Sequence, residues 1–155
     1  MIVRLGKLQR LHNLIKDDKA YKICAIVIGV RNPNSDPNDP KRTALDNPKF
    51  WFTVETAISG SPTGSEDISL KIVSTMNMAA LSGQGLYNGQ IDEAGLYAYD
   101  DGDFTGIDIY NTPVTGFLNL TPTPTLFAYS VISPPISWSS GFDATVLFEW
   151  LFVSA

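Results

Sequence analysis

The ten residues FWFTVETAIS, at positions 50–59, indicate the fold class because their side chains alternate regularly between two sides of an extended chain. Phe50, Phe52 and Ile58 fall on one side, and Glu55 falls on the other. A period of two residues is typical of a β-strand. A turn-forming stretch at residues 60–64 follows, and the alternation resumes over residues 68–73. The pattern therefore predicts a β-hairpin built from residues 50–59 and 68–73.

The segments on either side of this hairpin add a strand, a loop and a helical turn. Residues 21–30 are rich in β-branched side chains and are apolar on both alternating sides, which predicts a strand covered on both faces. Residues 31–48 contain four prolines with several Asn and Asp, so we expect a long surface loop there. Residues 76–85 are small and apolar enough for one helical turn.

Short strand-like segments recur through the rest of the chain, separated by turns rich in Gly, Pro and Asp. They lie at residues 85–91, 95–99, 104–110, 114–120, 126–132 and 144–153. Turns at intervals of 8–12 residues are typical of β-sandwiches. We therefore predict an all-β protein: a single antiparallel β-sandwich, jelly-roll-like, over residues 21–155. Residues 1–20 precede it as a basic N-terminal arm or a short helix.

Charge is distributed unevenly along the chain. All 11 basic residues lie at or before Lys71 with 8 acidic residues, for a net +3, whereas residues 72–155 hold 8 acidic residues and no Lys or Arg. Residues 1–22 alone carry six basic residues against Asp17 and Asp18, for a net +4. Such asymmetry bears on association rather than on fold, because it favours contact between oppositely charged surfaces.

The C-terminal segment, residues 144–155, is apolar on both alternating sides, and Glu149 is its only charged residue. An exposed edge strand of this composition would aggregate. We therefore expect the strand to be central in its sheet or buried by another subunit. Glu149 would then meet a basic group from the first half of the chain or from a neighbouring chain.

Residues that could carry chemistry are few. The single histidine, His12, lies in the arm, which is a poor scaffold for a catalytic triad, and one His with one Cys cannot supply a zinc site. Cys24 lies in an apolar run and is expected in the core. A set of carboxylates raises calcium binding or paired-acid glycoside hydrolysis, but solvated turns are favoured: Asp92, Glu93, Asp100, Asp101, Asp103 and Asp108. We expect no catalytic residue, no metal and no cofactor, and hence no enzyme.

Two binding alternatives remain open. Tyr87, Tyr97, Tyr99 and Tyr110 could stack on sugars, as in a carbohydrate-binding or adhesive sandwich, although ordinary strand packing is favoured. The basic arm could bind nucleic acid as coat-protein arms do, but its charges are few and interleaved with Leu and Ile, so a protein partner is favoured over nucleic acid. No apolar run approaches the roughly 18 residues of a membrane-spanning helix, and we expect no membrane partner.

The charge-poor β-domain, with its basic arm, proline-rich loop and apolar last strand, resembles the capsid decoration or cement proteins of tailed bacteriophages. The resemblance implies a virion protein, assembled in the host cytoplasm, that forms a homo-oligomer, such as a trimer, and stabilises a capsid shell. Partner contacts are expected from the arm, the loop and the last strand, at Arg4, Lys7, Arg10, Lys16, Lys41, Arg42 and Trp150.

Overall fold

The computed structural model describes residues 3, 21–54, 56–60, 69–100, 104 and 106–153. Within these residues the chain forms strands, one 3₁₀ helix and one short α-helix. The strands are β1 (Tyr21–Gly29), β2 (Pro48–Thr53), β3 (Thr56–Gly60), β4 (Ser69–Asn77), β5 (Asn88–Asp100), β6 (Thr125–Ser139) and β7 (Thr145–Val153). The 3₁₀ helix is Ala79–Gln84, where one helical turn was predicted, and the α-helix, α1, is Val114–Leu118.

The strands form two antiparallel sheets. One is four-stranded, in the order β2-β1-β5-β6, and the other is three-stranded, in the order β3-β4-β7. The predicted all-β, antiparallel class is thus confirmed, while the jelly-roll detail stays a prediction. The described part of β1 has a continuous buried run at residues 25–29, as expected for a strand covered on both faces.

The main apolar core lies between the two sheets. The rings of Phe52 in β2 and Phe148 in β7 meet across it with centroids 5.0 Å apart. The hydroxyl of the buried Ser74 in β4 donates to the carbonyl of Thr53 at 2.8 Å, which adds a polar tie between the sheets. Burying each large apolar side chain contributes roughly 1.5–3 kcal/mol. The largest fully buried members of this core are Ile26, Ile28, Phe50, Phe52, Ile72, Leu81, Ile91 and Leu96.

A second apolar core covers the outer face of the four-stranded sheet. The ring of Phe117 in α1 stacks on Trp51 with centroids 4.4 Å apart, and the Trp51 indole N–H donates to the carbonyl of Thr112 at 2.8 Å. The predicted strands at residues 104–110 and 114–120 are wrong, because residues 106–111 lie in turns and irregular chain and residues 114–118 form α1. Val114, Phe117 and Leu118 have helical spacing, so a helix directs all three toward the sheet.

The predicted hairpin is correct in one half only. Residues Thr56–Gly60 do pair with β4 across the turn, in a register that places Thr56 opposite Val73. Phe50–Thr53, however, pairs with β1 in the other sheet, with Phe50 opposite Ile28. The chain crosses between sheets at Val54, whose N–H donates to the carbonyl of Cys24 at 2.9 Å.

Two stretches predicted as turns lie inside long strands. Residues 92–94 belong to β5, and residues 133–135 belong to β6. Between the pairs Glu93–Val131 and Ile91–Ile136, a single residue of β5 faces four residues of β6. This bulge accommodates two consecutive prolines, which cannot donate to a ladder and are therefore confined to edges or bulges.

The C-terminal segment forms β7, as predicted, but its predicted central position is wrong. β7 pairs with β4 on one side, and no strand of the described chain pairs with its other side. The strand nevertheless buries one face, because Val146, Phe148 and Trp150 pack against the core between the sheets. Cover by another subunit, the alternative expectation, stays a prediction.

Candidate interaction surface

The loop between β1 and β2 is held together by Arg42. Its guanidinium forms an ion pair with Asp46 at 2.9 Å and donates to the carbonyl of Asp36 at 2.9 Å and to the Ser35 hydroxyl at 3.2 Å. The guanidinium carbon also lies 4.1 Å from the ring centroid of Tyr129. Only 8% of the Arg42 side chain is exposed, because its guanidinium is engaged within the loop. The expected contact of Arg42 with a partner stays a prediction.

The buried carboxylate of Glu93 fastens the same loop to the four-stranded sheet. It accepts hydrogen bonds from the backbone N–H of Asp46 at 3.2 Å, from that of Asn47 at 3.0 Å and from the hydroxyl of Tyr129 at 3.0 Å. Burial raises the pKa of Glu93, and these three hydrogen bonds oppose that rise. The prediction of a solvated turn at Glu93 is therefore wrong.

Asp46 connects the contacts of Arg42 with those of Glu93, because its carboxylate pairs with Arg42 and its backbone N–H donates to Glu93. Burial of its carboxylate disfavours ionisation, but hydrogen bonds from Ser35, Arg42 and the backbone N–H of Asn32 outweigh it and lower the pKa of Asp46. Asp92 holds the start of the loop, because its carboxylate accepts from the backbone N–H of Arg31 at 2.6 Å. The loop is consequently a fixed part of the fold, fastened at both ends to β5.

The other residues predicted to bind a partner fall in different places. Lys41 is exposed on the loop beside Arg42, and Trp150 is half-buried in β7, on the far sheet. The four arm residues lie outside the described part of the chain: Arg4, Lys7, Arg10 and Lys16. The structure therefore separates Lys41 from Trp150 and does not unite the predicted residues in one site.

An open groove runs between the edges of the two sheets, where β6 faces β7. Its volume is about 400 Å³. Phe148 and Trp150 line it from β7, and Val131 lines it from β6. Its floor is formed by Ile26 of β1 and Ala94 of β5. Glu149 is the one charged residue among those that line it. Leu147 and Leu151 also line the groove, and we call it the open side of the sandwich.

Leu147 and Leu151 of β7 add apolar surface that is exposed to solvent on the open side. Leu147 is 56% exposed and Leu151 is 59% exposed, on the face of the three-stranded sheet turned away from the core. Val131 of β6 is also exposed. The sequence marked β7 as unusually apolar, but it gave no sign that β6 would form the other wall, because its strand was predicted to end at residue 132.

The residues of the described chain that were considered for catalysis or metal binding make structural contacts. Cys24 is half-buried and not fully buried as expected, and burial raises the pKa of its thiol to about 12, which leaves it un-ionised at neutral pH. Within the described ranges, no three His, Cys, Asp or Glu residues lie close enough together to hold a metal ion. His12, Asp101 and Asp103 lie outside those ranges, as does the side chain of Asp100.

The four tyrosines considered for sugar stacking do not form a common platform. Tyr97 and Tyr99 are buried, and Tyr87 is half-buried, with its hydroxyl donating to the carbonyl of Gln90 at 2.9 Å. Tyr110 is the member of this set that is more than half exposed. Ordinary packing, the favoured expectation, therefore describes three of the four.

The helices of the described chain are all too short or too polar to cross a membrane. Comparison with protein-family models, with curated proteins and with solved structures found no match for the chain.

Proposed function

We propose that the protein is a non-enzymatic structural protein that assembles with other protein chains through the open side of its sandwich. The observation that carries this proposal is the groove of about 400 Å³ between β6 and β7, whose lining includes the exposed Leu147 and Leu151. Uncovered apolar surface bordered by polar groups is typical of sites of protein association.

The setting that we propose is a virion, in which the protein acts as a decoration or cement protein on a capsid shell. The charge distribution supports a role in assembly, because the strands that form the open side come mainly from the part of the chain without Lys or Arg. A partner surface that combines apolar and basic side chains would complement it.

The rigid loop supports the same role. Its exposed Lys41 is carried on backbone that Arg42 and Glu93 already hold in place. A contact made by a preordered loop loses little conformational entropy on binding, so more of its interaction energy appears as affinity. The loop and the open side would thus give the protein two contact surfaces on different parts of the molecule.

Incorporation into particles tests the proposal. Particles would be produced from the genomic segment that carries this reading frame, purified on a density gradient and probed for the chain by immunoblotting. We expect the chain in the particle band, and we expect Leu151→Asp to lower its amount. Leu86→Asp is the matched control, since Leu86 is 82% exposed and does not line the groove. Absence of the wild-type chain from particles that contain the shell protein would overturn the proposal.

A further inference from the structure

We propose that the protein binds one uncharged sugar unit in a pocket beside Tyr110. This pocket is separate from the open side of the sandwich, because the described residues that line the two have no member in common. The inference therefore goes beyond the assembly role proposed above and does not depend on it.

The pocket lies where β4 and β7 meet the turn that precedes α1. Asn77 of β4 lies opposite Thr145 of β7 in the strand register, and both line the pocket. The volume is about 270 Å³, just below the roughly 300–1,000 Å³ of pockets that hold drug-sized ligands, so the pocket suits a small ligand. The other described residues that line it are Thr53, Thr75, Met76, Ala80, Ile109 and Tyr110.

The lining combines polar, uncharged side chains with apolar ones. Three threonines supply hydroxyl groups and Asn77 supplies a carboxamide, so donors and acceptors are both present. None of the described lining residues is charged, and a charged ligand would lose water there without gaining an ion pair from them. The lining therefore favours an uncharged ligand that carries several hydroxyl groups.

Tyr110 adds an aromatic surface to this lining. Its side chain is 53% exposed, so part of its ring is open to a ligand. One face of a sugar ring presents apolar C–H groups, which pack on an aromatic ring, while the sugar hydroxyls project from its rim toward polar groups. A tyrosine beside hydroxyl and amide side chains provides both kinds of contact. The pocket thus matches the chemistry of a sugar unit.

The backbone that carries Tyr110 is held against the rest of the fold. The side-chain amide of the buried Gln84 donates to the carbonyl of Ile109 at 2.7 Å. The 3₁₀ helix also approaches this turn closely, because a Cβ at Gly83 would lie 2.5 Å from the backbone oxygen of Tyr110. A side chain on a fixed turn loses little conformational freedom when it binds a ligand.

Asn77 is oriented by its own hydrogen bonds. Its side-chain oxygen accepts from the backbone N–H of Ala80 at 3.2 Å, and its side-chain nitrogen donates to the carboxylate of Asp143. An amide nitrogen carries two hydrogens, and the bond to Asp143 uses one of them. The second is the donor that we assign to a sugar hydroxyl.

Saturation-transfer NMR on the purified full-length chain tests the pocket. The probes are the methyl glycosides of glucose, galactose, mannose and N-acetylglucosamine, because each is a single uncharged ring with several hydroxyls. We expect transfer to the ring C–H protons of at least one of them, and a titration then gives its dissociation constant. The uronic acid form of the same sugar, which adds a carboxylate to the ring, should bind more weakly.

Substitutions locate the bound sugar. Tyr110→Ala should raise the dissociation constant about 2- to 10-fold, the contribution of one aromatic contact, whereas Tyr110→Phe keeps the ring and most of the affinity. Phe142→Ala is the matched control, since Phe142 is an aromatic residue that is 66% exposed and does not line the pocket. Thr145→Val removes one hydroxyl and should raise the constant about 2- to 10-fold, with the exposed Thr115→Val on α1 as its control.

Circular dichroism of each variant establishes that it folds. Absence of transfer to all four probes would overturn the proposal, as would equal dissociation constants for wild type, Tyr110→Ala and Thr145→Val. Equal or tighter binding of the uronic acid would refute an uncharged ligand. A chain that enters particles without binding sugar would refute this pocket alone, and a chain that binds sugar but is absent from particles would refute the assembly role alone.

Discussion

Replacing Tyr129 by phenylalanine tests how the loop between β1 and β2 is fastened. The substitution deletes the hydroxyl that donates to the buried carboxylate of Glu93 at 3.0 Å and retains the ring on which Arg42 lies. Hydrogen bonds to a charged group contribute roughly 1.5–3 kcal/mol to stability. Glu93 keeps its two backbone donors, so we expect the free energy of unfolding to fall by about 1.5–3 kcal/mol.

Tyr97→Phe is the matched control for this prediction. Tyr97 is as deeply buried as Tyr129 and belongs to the same apolar cluster, but its hydroxyl meets the backbone of Leu45 without good hydrogen-bond geometry and bonds no charged group of the described chain. Removing this hydroxyl should change stability by less than about 1 kcal/mol. Urea unfolding followed by tryptophan fluorescence measures both variants. Equal stabilities for the two would refute the role assigned to the Tyr129 hydroxyl.

Three further predictions concern single residues. Because burial raises the pKa of the Cys24 thiol to about 12, alkylation of the folded protein at pH 8 should be much slower than in urea; equal rates would contradict its burial. The lowered pKa of Asp46 stabilises the fold above its unfolded value near 3.8, so the stability gap to Asp46→Asn should close as pH falls below about 4; a gap constant from pH 2 to 6 would be inconsistent with this. A Cβ at Gly29 would lie 2.4 Å from the backbone oxygen of Asn47, so Gly29→Ala should cost about 1–3 kcal/mol in thermal unfolding, whereas Gly141→Ala, with open space around it, should cost little.

The existence of most strands could be predicted from the sequence, because a period of two residues is a local signal. Their assignment to sheets could not. The alternation continues without a break through Val54, yet the chain leaves one sheet and enters the other there. Only contacts with residues far along the chain, such as the bond from Val54 to Cys24, decide that crossing.

The candidate interaction surface was predictable in part. The apolar composition of β7 drew attention to Trp150, which lines the groove, and its role in binding a partner stays a prediction. Arg42 was chosen for its charge, but its guanidinium is bound within its own loop. The role of Glu93 was hidden because two of its hydrogen-bond donors are backbone N–H groups 46 and 47 residues earlier in the chain. A helix as short as α1 is likewise too brief to show a clear period.

The four-stranded sheet lies between two apolar cores, whereas the described side chains of the three-stranded sheet pack only against the core between the sheets. Amide protons of β1 and β5, with buried runs at residues 25–29 and 93–99, should therefore exchange with solvent most slowly. Those of β7 should exchange sooner, because one of its faces meets water. β7 thus belongs to the less protected sheet of the described chain, and it can open to solvent locally while β1 and β5 stay closed.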